Sequence, residues 1–113
     1  MFKLDIIIPV YNEDEKIVDL INQLKEGINH KFRILICFDE DNDKTLQYLK
    51  NNKLVNDEVV LVKNTSNGPN SAIIEGIKNS SSEIILVYMA DDFENIKIIN
   101  KMIAYMDEGF DLI

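Results

Sequence analysis

The sequence predicts an α/β fold in which a mostly parallel sheet carries helices on both faces. Two observations carry this prediction: strand-like apolar runs alternate along the chain with segments of helical periodicity, and only short loops connect them. Such alternation requires crossover connections, which place consecutive strands parallel in one sheet. With 113 residues, no linker and no internal repeat, residues 1–113 are expected to form one domain.

The first strand is predicted at Leu4–Val10 (LDIIIPV), which is almost continuously apolar, as a strand buried on both faces is. Pro9 marks its end because proline cannot donate to a central ladder. Either Asn12 or Asp14 can cap the helix that follows, and Gly27 suits its C-terminal end. The apolar face of this helix is formed by residues at helical spacing: Ile17, Leu20, Ile21 and Leu24.

The second strand is predicted at Phe32–Phe38 (FRILICF), and it runs directly into the acidic loop Asp39–Asp43. A short helix follows, whose apolar positions are Leu46, Tyr48 and Leu49. The third strand is predicted at Glu58–Val62 (EVVLV). The polar stretch Asn64–Asn70 (NTSNGPN), with its glycine and proline, is then a loop.

The last third of the chain repeats the alternation. A helix with the buried positions Ala72, Ile73, Gly76 and Ile77 leads to a fourth strand at Glu83–Met89 (EIILVYM) and a second acidic loop. A helix with the apolar stripe Ile99, Met102, Ile103 and Met106 ends near Gly109, and Phe110–Ile113 begins a fifth strand. Because the sequence stops within that strand, we expect the chain to be the N-terminal portion of a longer domain.

Composition restricts the partners. The net charge of −8 argues against nucleic acid or an anionic membrane surface as the main partner. Cys37 is the only cysteine, which excludes an internal disulfide and favours a reducing compartment. No apolar run approaches the roughly 20 residues of a membrane-spanning helix. The chain is therefore predicted to be cytoplasmic, with the membrane face as a possible location for the longer protein.

The acidic residues are clustered after three of the predicted strands: Glu13, Asp14 and Glu15; Asp39, Glu40, Asp41 and Asp43; and Asp91, Asp92 and Glu94. Carboxyl ends of parallel strands share one edge of the sheet, where ligands bind in such folds. Two carboxylates about 4 Å apart repel by roughly 4 kcal/mol at an effective dielectric constant near 20. The clusters therefore predict a site for Mg²⁺ or Mn²⁺, unless the side chains splay into water and never meet.

Two common phosphate-binding signatures are missing. The segment after the first strand, PVYNED, contains no glycine, so a dinucleotide-type pyrophosphate loop is not expected. The loop NTSNGPNS has no lysine at the position that a P-loop requires. A phosphate-bearing ligand at this acidic edge would need a metal ion to screen it. The pattern favours metal-assisted transfer from a diphosphate ester.

At these positions the sequence resembles the family-2 glycosyltransferases of the GT-A type. IIIPVYNE (Ile6–Glu13) resembles their opening strand with its Pro-x-Tyr-Asn-Glu signature, and FDEDNDKT (Phe38–Thr45) lies where they carry a second acidic loop. Asn67–Asp92 resembles their Gly-rich loop, Ala-Ile-x-x-Gly helix, fourth strand and metal-binding turn. Among them, the dolichyl- and polyprenyl-phosphate sugar transferases are the most similar group. The resemblance covers essentially the whole chain and implies the Rossmann-like donor-binding half of a GT-A domain.

The resemblance also implies roles for individual residues. Pro9, Tyr11 and Glu13 would line the base and ribose pocket of a nucleoside-diphosphate sugar of the UDP or GDP type. Asp39 would accept hydrogen bonds from the nucleobase edge, and Asp91 would bind the divalent ion that bridges the diphosphate. The complete predicted binding set is Pro9, Tyr11, Asn12, Glu13, Asp39, Asn67, Gly68 and Asp91.

The sequence departs from the family pattern at three positions. Met89 replaces the first aspartate of the metal-binding turn, so Asp92 or Glu94 would have to supply the second metal ligand. Ser66 stands where a basic residue often meets the phosphates, and Glu40 replaces the usual glycine of the second loop.

No general base is predicted, since the family's base and acceptor site belong to the half beyond the fifth strand. The fragment alone is expected to be inactive as a transferase. The sequence does not identify the acceptor, and the resemblance offers a lipid phosphate such as a polyprenyl phosphate as one candidate. Two alternatives remain. One is a phosphoacceptor receiver domain, although the third strand ends in Lys63-Asn64 without an acceptor aspartate. The other is a non-catalytic nucleotide-binding or assembly module, which the Met89 departure favours.

Overall fold

The computed structural model describes residues 2–109. Strands and helices alternate through this range as the sequence predicts. In chain order the elements are β1 (Leu4–Pro9), α1 (Lys16–Gly27), β2 (Phe32–Phe38), α2 (Lys44–Asn51), β3 (Val59–Lys63), α3 (Pro69–Lys78), β4 (Ile84–Val87), a 3₁₀ helix (Ile96–Ile98) and α4 (Ile99–Asp107). The predicted α/β class is confirmed.

The four strands form one parallel sheet in the order β3-β2-β1-β4. β1 is a central strand, in which Ile7 lies between Leu35 of β2 and Val87 of β4. The chain moves outward from β1 to β3 and then returns to the other side of β1 to form β4. The strand order therefore reverses between β1 and β4, the position at which ligands bind in open parallel sheets.

The two faces of the sheet are covered unequally. Within residues 2–109, α1, α2 and α4 pack with the 3₁₀ helix on one face, over a core that contains Ile6, Ile8, Ile34 and Ile36. On the other face α3 covers a smaller cluster, formed by Ile7, Leu35, Cys37, Val62 and Ala72. α3 does not extend over β4, so Ile85 and Val87 stay partly exposed at this edge.

α3 lies very close to the sheet because it carries Ala72 and Gly76 on its inner face. A Cβ atom added to Gly76 would lie 2.6 Å from Cγ2 of Ile7 and 3.0 Å from Sγ of Cys37. Real Cβ atoms do not approach other atoms so closely, and thus only glycine fits at this position. The small residues of the Ala-Ile-x-x-Gly segment set the depth at which α3 is seated.

β4 is shorter than predicted, since it spans Ile84–Val87 instead of Glu83–Met89. The N–H of Tyr88 still donates to the carbonyl of Ile7 at 2.8 Å. The next bond of this parallel ladder would need an N–H from Pro9, which proline lacks. Pro9 therefore ends the β1–β4 pairing, whereas the β1–β2 side continues with a bond from the N–H of Val10 to the carbonyl of Cys37 at 2.9 Å.

Smaller differences concern the ends of other elements. β1 ends at Pro9 and β3 spans Val59–Lys63, one residue later than predicted. The N-cap of α1 is Glu15, whose side chain makes no capping hydrogen bond, so the prediction that Asn12 or Asp14 caps this helix is wrong. Asp14 lies one residue earlier and accepts a hydrogen bond from the N–H of Lys16 at 2.9 Å. The predicted fifth strand, Phe110–Ile113, lies outside the described residues.

A buried carboxylate joins the elements at the opposite edge of the sheet. Asp5 is fully buried and forms a bidentate pair with Arg33, at 3.1 and 3.0 Å. It also accepts hydrogen bonds from the hydroxyl of Ser80 and the N–H of Ser81. Burial alone would raise the pKa of Asp5, but these hydrogen bonds outweigh it and hold the pKa well below its usual range. The pair fixes the loop between α3 and β4 to the two central strands.

No helix among residues 2–109 is both long and apolar enough to cross a membrane. The longest of them, α1, has 12 residues.

Candidate functional site

A pocket of about 470 Å³ lies at the carboxyl edge of the sheet, at the point where the strand order reverses. Its walls come from the ends of β1, β2 and β4 and from the first turn of α3. The lining residues are Pro9, Val10, Tyr11, Glu13, Asp39, Gly68, Pro69, Ala72, Met89, Ala90 and Asp91. Apolar walls with a few convergent polar groups are typical of small-molecule sites.

The structure brings six of the eight predicted binding residues into this pocket: Pro9, Tyr11, Glu13, Asp39, Gly68 and Asp91. Each of the three acidic clusters contributes one carboxylate. Asn12 and Asn67 do not line it. Asn12 borders a smaller cavity of about 310 Å³ behind the same loop, and Asn67 is exposed on the loop before α3.

The loop after β1 is held by the N-terminus of α2. The buried Asp43 caps that helix by accepting a hydrogen bond from the N–H of Thr45 at 2.8 Å, and it also accepts one from the N–H of Asn12 at 3.0 Å. In return, the side chain of Asn12 accepts a bond from the N–H of Lys44 at 3.0 Å, and the hydroxyl of Thr45 accepts one from the N–H of Glu13 at 2.9 Å. Asn12 therefore contributes to the loop's conformation, which its positive φ of 47° also marks.

This anchoring presents Tyr11 and Glu13 to the pocket. Tyr11 is 71% exposed, so its ring is free to contact a ligand. Oε2 of Glu13 accepts a hydrogen bond from the N–H of Tyr11 at 3.1 Å, which leaves Oε1 for other partners.

Asp39 is held in place at the end of β2. Its Oδ1 accepts a hydrogen bond from Nδ2 of Asn64 at 2.8 Å, and its Oδ2 accepts one from the N–H of Gly68 at 3.1 Å. Gly68 precedes α3 with a φ of 97°, in the left-handed region that glycine tolerates best. The carboxylate thus bridges β2 and the start of α3.

The two aspartates after β4 have different surroundings. The carboxylate of Asp92 accepts hydrogen bonds from Asn95, at 2.8 Å from Nδ2 and 3.0 Å from the N–H, and a third from the N–H of Glu94. These bonds lower the pKa of Asp92. Tyr88 donates its hydroxyl to the carbonyl of Asp92 at 2.7 Å and tightens the turn. Asp91 is exposed and accepts no hydrogen bond from the described residues, so its carboxylate is available to a ligand.

A preformed metal centre is not present, because no group of three or more histidine, cysteine, aspartate or glutamate side chains in the described part of the chain could hold a metal ion. Asp91 offers a free carboxylate to a cation. Both carboxylate oxygens of Asp92 already accept hydrogen bonds from Asn95. Glu94 does not line the pocket. Mg²⁺ usually binds to one or two carboxylates together with water and substrate phosphates. The residues present fit a cation that arrives with a phosphate-bearing ligand.

The negative charge of the pocket also indicates that a phosphate-bearing ligand needs a cation. Three carboxylates line the pocket, and no lysine or arginine is among its lining residues within the range 2–109. A diphosphate would therefore be repelled unless a cation screened it. Met89, which is 48% exposed on the pocket wall, adds an apolar surface where the family pattern has a further carboxylate.

Sequence reasoning missed several residues of this site. Ala72 and Pro69 line the pocket through the first turn of α3, and Asn64 lies behind it as the partner of Asp39. The loop Asn64–Asn70 is polar throughout, and its pattern does not reveal that one asparagine faces inward. Asn64 directly follows β3, and its position at a strand end was the one feature of the sequence that could have identified it.

The structure is similar to the crystal structure of residues 1–349 of TarS from S. aureus in complex with UDP-GlcNAc. The two share 26% sequence identity with a TM-score of 0.68, over 94% of this chain and 31% of the chain in that structure. The chain therefore spans about a third of that structure's length. The family model for Glycosyl transferase family 2 matches residues 5–113, and the chain belongs to that family.

Proposed function

We propose that this chain binds the nucleoside diphosphate part of a sugar donor, of the UDP type, in the pocket between the ends of β1 and β4. The observation that carries the proposal is the convergence of Glu13, Asp39 and Asp91 from three strand ends into one pocket of a family-2 glycosyltransferase chain. The structural similarity to TarS, whose structure contains UDP-GlcNAc, favours UDP over GDP.

Each side chain has a role that its surroundings support. Pro9 and Tyr11 offer apolar surface to the base and ribose, with the Tyr11 ring exposed beside the pocket. Asp39 retains lone pairs beyond those used by Asn64 and Gly68, and these can accept a hydrogen bond from a base N–H.

Mg²⁺ or Mn²⁺ would be held by Asp91 together with diphosphate oxygens and water. When bound, the cation would stabilise the negative charge that develops on the leaving nucleoside diphosphate. Asp91 is suited to this role because its carboxylate has no competing donor among residues 2–109.

Glycosyl transfer itself is a proposal for the longer protein, since the chain spans 31% of the TarS structure. No described residue is assigned as the general base, and we predict that the chain alone binds donor without transferring sugar. A polyprenyl phosphate acceptor stays a prediction from the sequence resemblance.

A second candidate is a nucleotide-binding module that has lost the chemistry. Met89 favours it, because the turn after β4 then provides one free carboxylate, that of Asp91, instead of two. Metal dependence separates the two candidates: a transferase donor site needs the cation, whereas a module of this kind would bind the nucleoside without it.

The test is thermal unfolding of the chain with UDP, with Mn²⁺, and with both. UDP at about 100 times its dissociation constant should add about 2.7 kcal/mol of apparent stability, or about 10 °C. We expect this increase only when both are present. Asp91→Asn should abolish it, whereas the matched control Asp57→Asn, an exposed aspartate outside the pocket, should preserve it. No increase with UDP and Mn²⁺ would refute the donor site. An equal increase with UDP alone would show that the pocket carboxylates need no screening cation, and it would favour the metal-free module.

A further inference from the structure

Asn64 is a buried polar residue that lies behind the pocket without lining it. It follows β3 directly and is 3% exposed. Its N–H donates to the carbonyl of Phe38 at 2.7 Å, which extends the pairing of β3 with β2 and aligns Asn64 with the end of that strand. The backbone hydrogen bond thus fixes the position of Asn64 independently of its side-chain contacts.

Both ends of the Asn64 amide are used. Nδ2 donates to Oδ1 of Asp39 at 2.8 Å and to the carbonyl of Gly68 at 3.3 Å, while Oδ1 accepts from the N–H of Ser66 at 3.2 Å. The same loop also reaches Asp39 through the N–H of Gly68. One asparagine therefore ties the carboxylate of Asp39 to the loop that begins α3.

This arrangement determines how Asp39 is presented. Each carboxylate oxygen accepts one hydrogen bond from the protein, and together these two bonds fix the carboxylate plane. A carboxylate has about four lone-pair positions, so acceptor capacity is left on both oxygens. A buried donor that is aimed at a charged acceptor makes a strong and directional bond. Without Asn64, Asp39 could rotate about its side-chain bonds, and its remaining lone pairs would no longer have one direction.

We infer that Asn64 is a positioning residue for base recognition: it orients Asp39 so that the carboxylate meets a base N–H when a nucleoside diphosphate enters the pocket. The inference rests on the proposed function, since it requires Asp39 to contact the base. Asparagine suits this role because its amide donates a hydrogen bond to Asp39 and has no other charged partner. An aspartate at position 64 would repel the carboxylate of Asp39, and a leucine there could not donate a hydrogen bond.

The experiment compares UDP with inorganic pyrophosphate, which has no base, by calorimetric titration in the presence of Mn²⁺. Asn64→Asp keeps the size of the side chain and its acceptor for Ser66, but it removes the donor to Asp39. The ratio of UDP affinity to pyrophosphate affinity should fall about tenfold or more, equivalent to about 1.4 kcal/mol. The added negative charge weakens pyrophosphate binding as well, so the ratio of the two affinities cancels this general electrostatic effect.

A double variant that exchanges Asp39 and Asn64 separates an effect on the orientation of the carboxylate from an effect on folding. In the double variant Asp39→Asn with Asn64→Asp, an amide again donates to a carboxylate, and the side-chain charge of the pair is unchanged. This variant should regain the thermal stability that Asn64→Asp loses, yet its affinity ratio should stay low because the carboxylate is on the wrong residue. Asn64→Ser, which removes the amide without adding charge, decides the question if Asn64→Asp does not fold.

The outcomes are distinct. A folded Asn64→Asp or Asn64→Ser variant with the affinity ratio of the wild type would overturn the inference and leave the proposed function intact. Restoration of the ratio by the exchanged pair would overturn it as well, since the carboxylate would then not need to be at position 39. If the wild type itself does not bind UDP, the proposed function fails and the inference fails with it.

Discussion

Gly76→Ala tests whether the depth of α3 is set by the absence of a side chain. The new Cβ would meet Cγ2 of Ile7 at 2.6 Å, Sγ of Cys37 at 3.0 Å and Cγ1 of Ile7 at 3.1 Å. Ile7 is fully buried on a central strand, and its β-branched side chain has little freedom to rotate away. α3 must therefore move outward, or the sheet must distort.

The magnitude follows from two opposing effects. Alanine is favoured over glycine within a helix by about 1 kcal/mol, whereas an extra methyl group in a packed interior costs about 1–3 kcal/mol. Two contacts at or below 3.0 Å place this site toward the upper end of that cost. We expect a net loss of about 1–2 kcal/mol in the free energy of unfolding, or roughly 4 °C or more in Tm.

The assay is urea unfolding of the wild type, Gly76→Ala and the matched control Gly27→Ala. A Cβ at Gly27 would meet a single atom, Cγ2 of Ile96 at 3.0 Å, and would come no closer than that to any other atom. The control should therefore lose less stability than Gly76→Ala. Adding Ile7→Ala to Gly76→Ala should cost less than the sum of the two separate changes. A Gly76→Ala chain as stable as the wild type would refute this explanation of α3 packing.

Two further predictions concern buried polar contacts. Asp5→Asn should lower the free energy of unfolding most at neutral pH. The pKa of Asp5 is lowered in the folded state. The ionised carboxylate therefore contributes its full stabilisation above the unfolded pKa of about 3.9, and this stabilisation is lost as the pH falls from there toward the folded pKa. Urea unfolding from pH 7 to pH 3 should show the gap between the two proteins narrowing only at the acidic end, and a constant gap would contradict the lowered pKa. Thr45→Val keeps the side-chain shape but leaves the N–H of Glu13 without its acceptor, which should cost about 1–3 kcal/mol. Faster hydrogen exchange at the Glu13 amide would localise the effect, and exchange at the wild-type rate would argue against the contact.

The architecture was predictable from the sequence because local signals and tertiary packing agree. β2 begins and ends at the predicted residues, since Phe32–Phe38 is apolar along its whole length except at Arg33 and buried along nearly all of it. Pro9 was predicted to end the first strand, and in the structure it ends one of the two pairings of β1. Pro9 still allows β1 to pair with β2, and the ladder that its missing N–H interrupts is the one with β4.

The site was less predictable, because the role of each carboxylate depends on distant backbone groups. Asn12 matches a binding signature, but its side chain is engaged by the N–H of Lys44, 32 residues further along the chain. Asp92 matches a metal-ligand position, yet the N–H groups of Glu94 and Asn95 occupy it. Sequence pattern identifies which residues lie at the strand ends. Which of them keep free oxygens depends on the course of the backbone after each strand.

Several carboxylates of the acidic edge bind backbone N–H groups at the starts of helices, which offsets part of their mutual repulsion. Asp43 caps α2, Asp39 accepts from Gly68 at the start of α3, and Asp92 binds the N–H groups just before the 3₁₀ helix. Partial positive charge at a helix N-terminus stabilises an adjacent carboxylate. Asp91 lacks such a partner among residues 2–109, so a cation without a phosphate ligand would gain one protein carboxylate there and little else. Mn²⁺ alone should therefore leave the Tm almost unchanged, and a large shift without UDP would mean that the acidic residues rearrange around the ion.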